Sequence, residues 1–496
     1  MPLPPKWSES GFEKTVFGRA AILGVSLAFL FLIWHRNYNL IGELYDYSIM
    51  SSAAGHLQAG RLPYRDFTTP LQSLTIYLGY AAEKIFGPRY LSLAYANLVI
   101  GVGYYFLLLR LLKPVLPFPL RVLTATALVT CTFFQHGIIW YNALAMMFLC
   151  LACFQAIAIF RAEKIKTLAV AQLCLWLFLS SMTKFNFHTL ALGLVSLIFA
   201  ARLWLRPADF KPTLLAAAAL VVCGIILGPA TEVLVNRTTL ANFVQNVFVI
   251  PSGRAGYLGY LFSSDLYVYR LHDSYPDDMS LGVYAVALLV YLLCLLRLQR
   301  TDQAKTSAAP GREAAFTRYC ALAALPIFFI SSQLLTVTNY ETQILTSSFL
   351  LAGLVCVFLL LERGLTEPRK NVLHFFILLL AVYFAIIGGG SAFMHSRVRY
   401  RDYDLSRAFI YELKHHRTLL EALTDLPLFD VQSISPRFAP YLEGVQMTET
   451  GRSQLASVAS FMDQTHPDGL KMNNWSYRKV ALRSTHHTQF GVRPAC

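Results

Sequence analysis

The sequence predicts an all-α protein that crosses a membrane many times, and three observations lead to this prediction. First, 56% of the 496 residues are apolar and only 14% are charged, whereas about a quarter of the residues are charged in soluble proteins. Second, uncharged stretches of about twenty residues, the length that crosses a bilayer as a helix, recur along most of the chain. Third, basic residues gather in the short loops between these stretches. This pattern excludes a series of soluble domains. Basic residues in short loops set the orientation of membrane helices, so the formal charge of +14 does not indicate binding of nucleic acid.

About eleven transmembrane helices are predicted. The apolar stretches fall at about 18–34, 90–110, 121–136, 138–160, 167–183, 188–205, 212–234, 281–298, 317–338, 341–361 and 372–394. The first follows Lys6, Lys14 and Arg19 and ends without the small residues of a cleavage site. We therefore expect an uncleaved anchor with a cytoplasmic N-terminus.

The run 71–86 is predicted to be a helix on the membrane surface. It is short, carries Glu83 and Lys84, and ends at Gly87-Pro88. If it is not counted as a span, every short basic loop lies on the same side of the membrane as the N-terminus. If it is counted, all of these loops lie on the outer side. These loops fall at 110–121, 161–166, 202–211, 297–318 and 363–370.

This topology divides the chain into a transmembrane domain, 1–394, and a small outer-face domain, 395–496, whose composition is close to that of a soluble protein. Within the first, the outer face receives two long loops, 35–89 and 235–280. Eight of the nine cysteines lie in apolar spans, so the sequence contains no disulfide framework. Any chemistry is expected in the outer segments.

The first outer loop carries the most informative pattern. Apolar residues at helical spacing predict a surface helix, with Asp46 in its first turn and Gly60 just past its end. The helix N-terminus keeps a carboxylate ionised, which is the state that a general base or a metal ligand requires. The structural alternative is that Asp46 only caps its own helix.

The loop as a whole resembles the first outer loop of the GT-C glycosyltransferases that use polyprenyl-phosphate sugars, among them the protein O-mannosyltransferases and the aminoarabinose transferases. The residues that carry this resemblance are Asp46, the turn Ala59-Gly60, the segment Pro63-Tyr64-Arg65-Asp66-Phe67, the pair Pro70-Leu71 and the helix end Ile85-Phe86-Gly87. The chain departs from the family at Tyr47, where Glu is frequent, and at Thr69, where Pro is frequent. The resemblance is specific over about 45 residues and only topological elsewhere.

The resemblance implies a GT-C-like, inverting enzyme that transfers a hexose or pentose from a polyprenyl phosphate to a hydroxyl of a cell-envelope glycan or glycolipid, such as lipopolysaccharide. It implies that Asp46 is the catalytic base or helps to orient the acceptor. It makes Asp66 a second catalytic candidate, with stabilisation of a turn as the alternative. The location implied is the inner (plasma) membrane, with the C-terminal domain in the periplasm. Metal dependence varies in the family, so a divalent cation is compatible with the resemblance but no cofactor is assigned.

A departing phosphate gains negative charge, so a cation is expected beside it. The candidates for donor-phosphate binding are Lys184, which stands alone between short outer connections, and Arg254 and Arg270 in the second outer loop. The alternative for each is anchoring at the membrane interface or contact with lipid headgroups.

Sugars are recognised by hydrogen-bonding groups, and several lie near the outer membrane boundary. The candidates for substrate binding are His56, Tyr64, Asn142, Asn186, His272 and Glu341. Glu341 is of particular interest because a carboxylate at the start of a span is costly unless it caps the helix or contacts a partner.

Three other functions compete with glycosyl transfer. A polymerase or ligase of envelope glycans also uses lipid-linked sugars and would use the Arg and His residues of the second outer loop, but its first outer loop is not expected to carry the Asp46 pattern. A transporter or flippase would place ionisable residues inside the spans. A structural subunit of a glycan-assembly complex would keep its activity without Asp46.

Overall fold

The computed structural model describes residues 15–38, 44–69, 71–114, 116–134, 137–205 and 209–249, a few helical residues between 352 and 385, and two short strands. The helices are α1 (Val16–Asn37), α2 (Leu44–Gln58), α3 (Ser73–Phe86), α4 (Tyr90–Leu111), α5 (Phe118–Thr132), α6 (Tyr141–Arg161), α7 (Thr167–Ser181), α8 (Phe185–Leu205), α9 (Phe210–Val221), α10 (Gly228–Val235) and α11 (Leu240–Val244). The π-helical segments Val222–Leu227 and Gln245–Val249 follow α9 and α11. Strands β1 (Phe429–Asp430) and β2 (Gln446–Met447) pair antiparallel in the predicted outer domain.

Five segments in the described part are long and apolar enough to cross a membrane. They are Val16–His35, Tyr90–Leu111, Tyr141–Arg161, Phe185–Trp204 and the continuous run Phe210–Val235. The chain is therefore a multi-pass membrane protein, and these five agree with predicted spans. The predicted spans at 121–136 and 167–183 are also helical, but α5 and α7 have only 15 residues each, about 22 Å of helix against a hydrocarbon core of about 30 Å.

The count of eleven spans stays a prediction. The four predicted spans from 281 to 394 lie outside the described residues, apart from a few helical positions between 352 and 385. The same is true of the second outer loop beyond residue 249 and of nearly all of the outer domain.

Helix α6 is at the centre of the packed bundle. Almost all of its residues are buried, and it packs mainly against α7 and α8. Its C-terminal carbonyl groups are capped by Arg202 of α8, whose guanidinium donates to the carbonyl oxygens of Ile159 (2.7 Å) and Ala162 (2.9 Å) and pairs with Asp209 (2.7 Å). Arg202 therefore stabilises a helix end, in addition to the topological role inferred from sequence.

Helices α2 and α3, in the predicted first outer loop, pack against each other. The C-terminus of α2 closes as predicted at Gly60, which has a φ of 74°. The amide of Gly60 donates to the carbonyl of Leu57 (3.0 Å) and the amide of Arg61 to that of His56 (2.9 Å), the pair of bonds that defines a Schellman motif. Only glycine adopts this conformation readily, so the local sequence determines the turn.

Helix α3 is short and ends at Gly87, as predicted. Its 14 residues span about 21 Å, which is less than the hydrocarbon core requires. It packs against α2, and a Cβ atom on Gly79 would be in ordinary van der Waals contact with Cε of Met50, at 3.7 Å. These dimensions agree with a helix that does not cross the bilayer, and its position at the membrane surface stays a prediction.

Candidate functional site

The connection between α2 and α3 contains a compact turn around Tyr64. Tyr64 has a φ of 62°, a left-handed conformation that few residues other than glycine adopt. Its amide donates to the carbonyl of Phe67 (3.0 Å), and Pro63 and Phe67 form a β-bridge. The aromatic segment that carries the resemblance is therefore folded back on itself, at a conformational cost that the surrounding contacts must offset.

Asp66 stabilises this turn. Its Oδ2 accepts the amide of Leu62 (2.8 Å), and its carboxylate forms an ion pair with Arg65 (2.7 Å). The Arg65 guanidinium and the Leu62 amide lower the pKa of Asp66 from about 3.8 to about 2, because both favour the ionised form. These contacts agree with the turn-stabilising alternative for Asp66, and a catalytic role for this residue stays a prediction.

His56 and Tyr64 are buried beneath the turn. The His56 ring stacks on Phe67 with 4.5 Å between ring centroids. The Tyr64 hydroxyl donates to the carbonyl of Leu71 (2.8 Å). Burial and the nearby Glu232 carboxylate raise the pKa of Tyr64 well above its usual value. Both side chains thus have packing roles, and their predicted contact with substrate stays untested.

The N-terminus of α3 meets a buried carboxylate from a distant helix. Glu232 of α10 accepts the backbone amide of Ser73 at 3.0 Å and also bonds the Ser73 hydroxyl. Asn236 donates to the Ser73 hydroxyl (2.5 Å) and to the Glu232 carboxylate (3.2 Å). All three side chains are fully buried. Glu232 therefore provides the cap that Gln72, at the N-cap position of α3, does not provide with its own side chain.

Two further bonds attach the same helix start to the end of α7. The amide of Leu74 donates to the carbonyl of Met182 (3.0 Å), and Gln72 donates its side-chain amide to the carbonyl of Ser181 (2.8 Å). Just before them, the amide of Thr69 donates to the side chain of Asn246 (3.2 Å). The start of α3 is thus connected to α7, to α10 and to the segment after α11.

Lys184 lies two residues beyond Met182, in the turn between α7 and α8. Its ammonium group donates a hydrogen bond to Oδ1 of Asn142 at the start of α6. The Nζ atom lies 4.9 Å from the ring centroid of Tyr141 and 5.3 Å from that of Phe187, within the range of cation–π attraction. Two residues predicted from sequence, Lys184 and Asn142, are therefore brought together.

The other predicted site residues are placed less completely. Asp46 is the third residue of α2, in its first turn as predicted, but its side chain is outside the described part. Asn186 is exposed at the start of α8, and its Oδ1 accepts the amide of Phe187 (3.0 Å). Four candidates lie outside the described residues: Arg254, Arg270, His272 and Glu341.

Glu232 is the residue that sequence reasoning missed. The available signal was a carboxylate near the end of the apolar run 212–234, where an ionisable group is costly unless it has partners.

In the described part of the chain, no group of three or more His, Cys, Asp or Glu side chains could hold a metal ion.

Comparison with known proteins leaves the family open. No family model matches the chain, and no curated protein matches it. A search of solved structures finds the archaeal oligosaccharyltransferase AglB from Archaeoglobus fulgidus, in complex with an inhibitory peptide and a dolichol-phosphate, at 11% identity and a TM-score of 0.36. The similarity covers 95% of this chain and 56% of that one, so the chain spans little more than half the length of AglB.

Proposed function

We propose that the chain is an integral membrane glycosyltransferase of the GT-C type, which transfers a sugar from a polyprenyl phosphate to a hydroxyl group of a cell-envelope glycan or glycolipid. The observation that carries the proposal is the first outer loop. Helix α2 with Asp46 in its first turn, the Gly60 turn, the folded aromatic segment and the short helix α3 ending at Gly87 follow one another in the order that the resemblance implies.

A second observation supports the donor half of the site. The Lys184 ammonium is held by Asn142 and by the ring of Tyr141 at the junction of α6, α7 and α8. A fixed cation of this kind stabilises charge that develops on a phosphate oxygen without reorganising during the reaction. Arg254 and Arg270 are further candidates for the same role.

The proposed reaction is a single displacement. The Asp46 carboxylate accepts the proton of the acceptor hydroxyl, the acceptor oxygen forms a bond to the anomeric carbon, and the bond from that carbon to the phosphate oxygen breaks. The polyprenyl phosphate leaves with the electron pair of the broken bond, and Lys184 stabilises its charge. The configuration at the anomeric carbon is inverted.

The test compares envelope glycans from cells with and without the gene by mass spectrometry. We expect one sugar to be missing without the gene and to return with the wild-type chain, but not with Asp46→Asn at equal protein level. An unchanged glycan profile, or full restoration by Asp46→Asn, would contradict the proposal. Shortened chains of repeating units would instead indicate the polymerase or ligase alternative.

A further inference from the structure

The buried contact between Glu232 and α3 is connected through neighbouring contacts to both halves of the proposed site. Helix α3 begins at Ser73, and its first two amides are bound by other parts of the chain: Ser73 by the carboxylate of Glu232 and Leu74 by the carbonyl of Met182. The first amides of a helix have no partner within the helix, and a carboxylate is the group they bind best. The start of α3 is therefore held from two sides.

On one side, the start of α3 contacts the turn that carries the proposed phosphate-binding group, Lys184. Met182 belongs to the same short turn as Lys184, whose own amide donates to the carbonyl of Ser180 (3.3 Å). Gly228, at the start of α10, packs against this region so closely that a Cβ atom would lie 1.8 Å from Oγ of Ser181. The start of the helix that carries Glu232 is thus in direct contact with the residue three positions before Lys184.

On the other side, α3 contacts the helix that carries the proposed base, Asp46. Helix α3 packs along α2, with Gly79 of α3 against Met50 of α2, and Met50 lies about one turn after Asp46. Near the C-terminal ends of both helices, Gln58 of α2 donates to the Glu83 carboxylate of α3 (3.1 Å). A shift of α3 would therefore displace α2 and the backbone of Asp46.

From these contacts we infer that Glu232 is a positioning residue, which holds the start of α3 so that the helix bearing Asp46 and the turn bearing Lys184 keep the spacing that sugar transfer requires. This inference rests on the proposed function. It assigns a role to a carboxylate that is fully buried and therefore does not contact the substrate itself. A displacement of about 1 Å at reacting groups is enough to lower a rate about 10²-fold.

The first measurement needs no substrate. Hydrogen exchange of the amides at the start of α3, around Ser73 and Leu74, is compared between wild-type protein and Glu232→Ala in detergent. We expect faster exchange in the variant there, and no change at the start of α6. Unchanged exchange around Ser73 would overturn the inference whatever the enzyme's activity.

The second measurement uses the purified full-length protein with radiolabelled polyprenyl-phosphate hexose and pentose as donors and an envelope glycolipid extract as acceptor. Glu232→Ala should lower kcat about 10- to 100-fold with little change in KM. Glu232→Gln should retain intermediate activity, because its carbonyl oxygen can still accept the Ser73 amide. The control is Ser26→Ala, which removes a buried hydroxyl bonded to Thr126 and Tyr105 in the spans and should leave kcat unchanged.

A double variant separates positioning from general destabilisation. In the Asp46→Asn background the base is already lost, so Glu232→Ala should add much less than its effect in the wild type. An equal effect in both backgrounds, or a normal kcat in Glu232→Ala, would overturn the inference. If Glu232→Ala cannot be purified, Asn236→Ala, which removes the donor to both Glu232 and Ser73, replaces it with the same expected outcomes. A fully active Asp46→Asn would refute the proposed base instead, and hydrogen exchange would still decide the role of Glu232.

Discussion

The Lys184 ammonium donates a hydrogen bond to the side-chain oxygen of Asn142, 42 positions earlier in the chain. The contact joins the turn between α7 and α8 to the first residues of α6, a helix whose residues are almost all buried. Asn142 itself is fully buried. A cation held in this way has a defined position, which a lysine that only anchors in the interface does not need.

Lys184→Ala should therefore reduce sugar transfer by about 10²-fold or more, since it removes a fixed positive charge from the departing phosphate. Lys184→Arg should keep part of the activity, because the charge remains while the geometry of the donor group changes. The measurement is the rate of release of polyprenyl phosphate by purified protein. Lys164→Ala, at an exposed position near the other end of α7, is the matched control and should be as active as wild type. A normal rate in Lys184→Ala would remove Lys184 from the site and leave Arg254 or Arg270 as the donor-phosphate group.

Asp46→Asn tests the proposed base. Asparagine keeps the size of the side chain and an oxygen that can cap α2, while it removes the charge that accepts a proton. Transfer should fall by roughly 10²- to 10⁴-fold, with donor binding and thermal stability nearly unchanged. Turnover within a few-fold of wild type in stable protein would mean that Asp46 is only a helix cap, and the main argument for a glycosyltransferase would be lost.

Glu83 should make the stability of the protein depend on pH. Its carboxylate is buried between α2 and α3, and this burial raises its pKa from about 4.5 to about 7. The folded state therefore binds the proton more tightly than the unfolded state. Its contribution to stability is fully present below about pH 4.5 and is lost as the pH rises to about 7.

Glu83→Gln should remove this dependence and raise the unfolding temperature above that of wild type at pH 8, measured by thermal unfolding in detergent. The exposed Glu163 supplies the control, since Glu163→Gln should leave the difference between pH 5 and pH 8 as it is in wild type. A lower unfolding temperature for Glu83→Gln at pH 8 would show that the charged carboxylate stabilises the contact between α2 and α3.

The predicted topology can be tested by labelling single introduced cysteines in a background that lacks Cys496. Thr306→Cys should react only from the cytoplasmic side, and Ser453→Cys only from the outer side. Lys84 is exposed on α3, and Lys84→Cys should react from the outer side. Cytoplasmic labelling at Ser453 would contradict the eleven-span arrangement.

The sequence by itself determined the local features of the described part. The start of α2 near Asp46, its end at Gly60 and the end of α3 at Gly87 follow from periodicity and from two glycines with positive φ. The membrane-spanning character of helices such as α4 and α6 follows from their apolar length. These features depend on residues within a few positions of one another, so pattern and backbone preference are sufficient to predict them.

The pairings between distant residues were decided only by the tertiary structure. Ser73 and Glu232 are 159 positions apart, and Lys184 and Asn142 are 42 apart. The run 212–234 indicates that Glu232 lies in an apolar segment, but not that its carboxylate caps α3. Apolar membrane helices can pack in many arrangements. Lipid tails are as apolar as the side chains, so the hydrophobic effect does not favour one arrangement over another. Close packing, as at Gly228 and Ser181, together with the need of buried polar groups for partners, selects one arrangement.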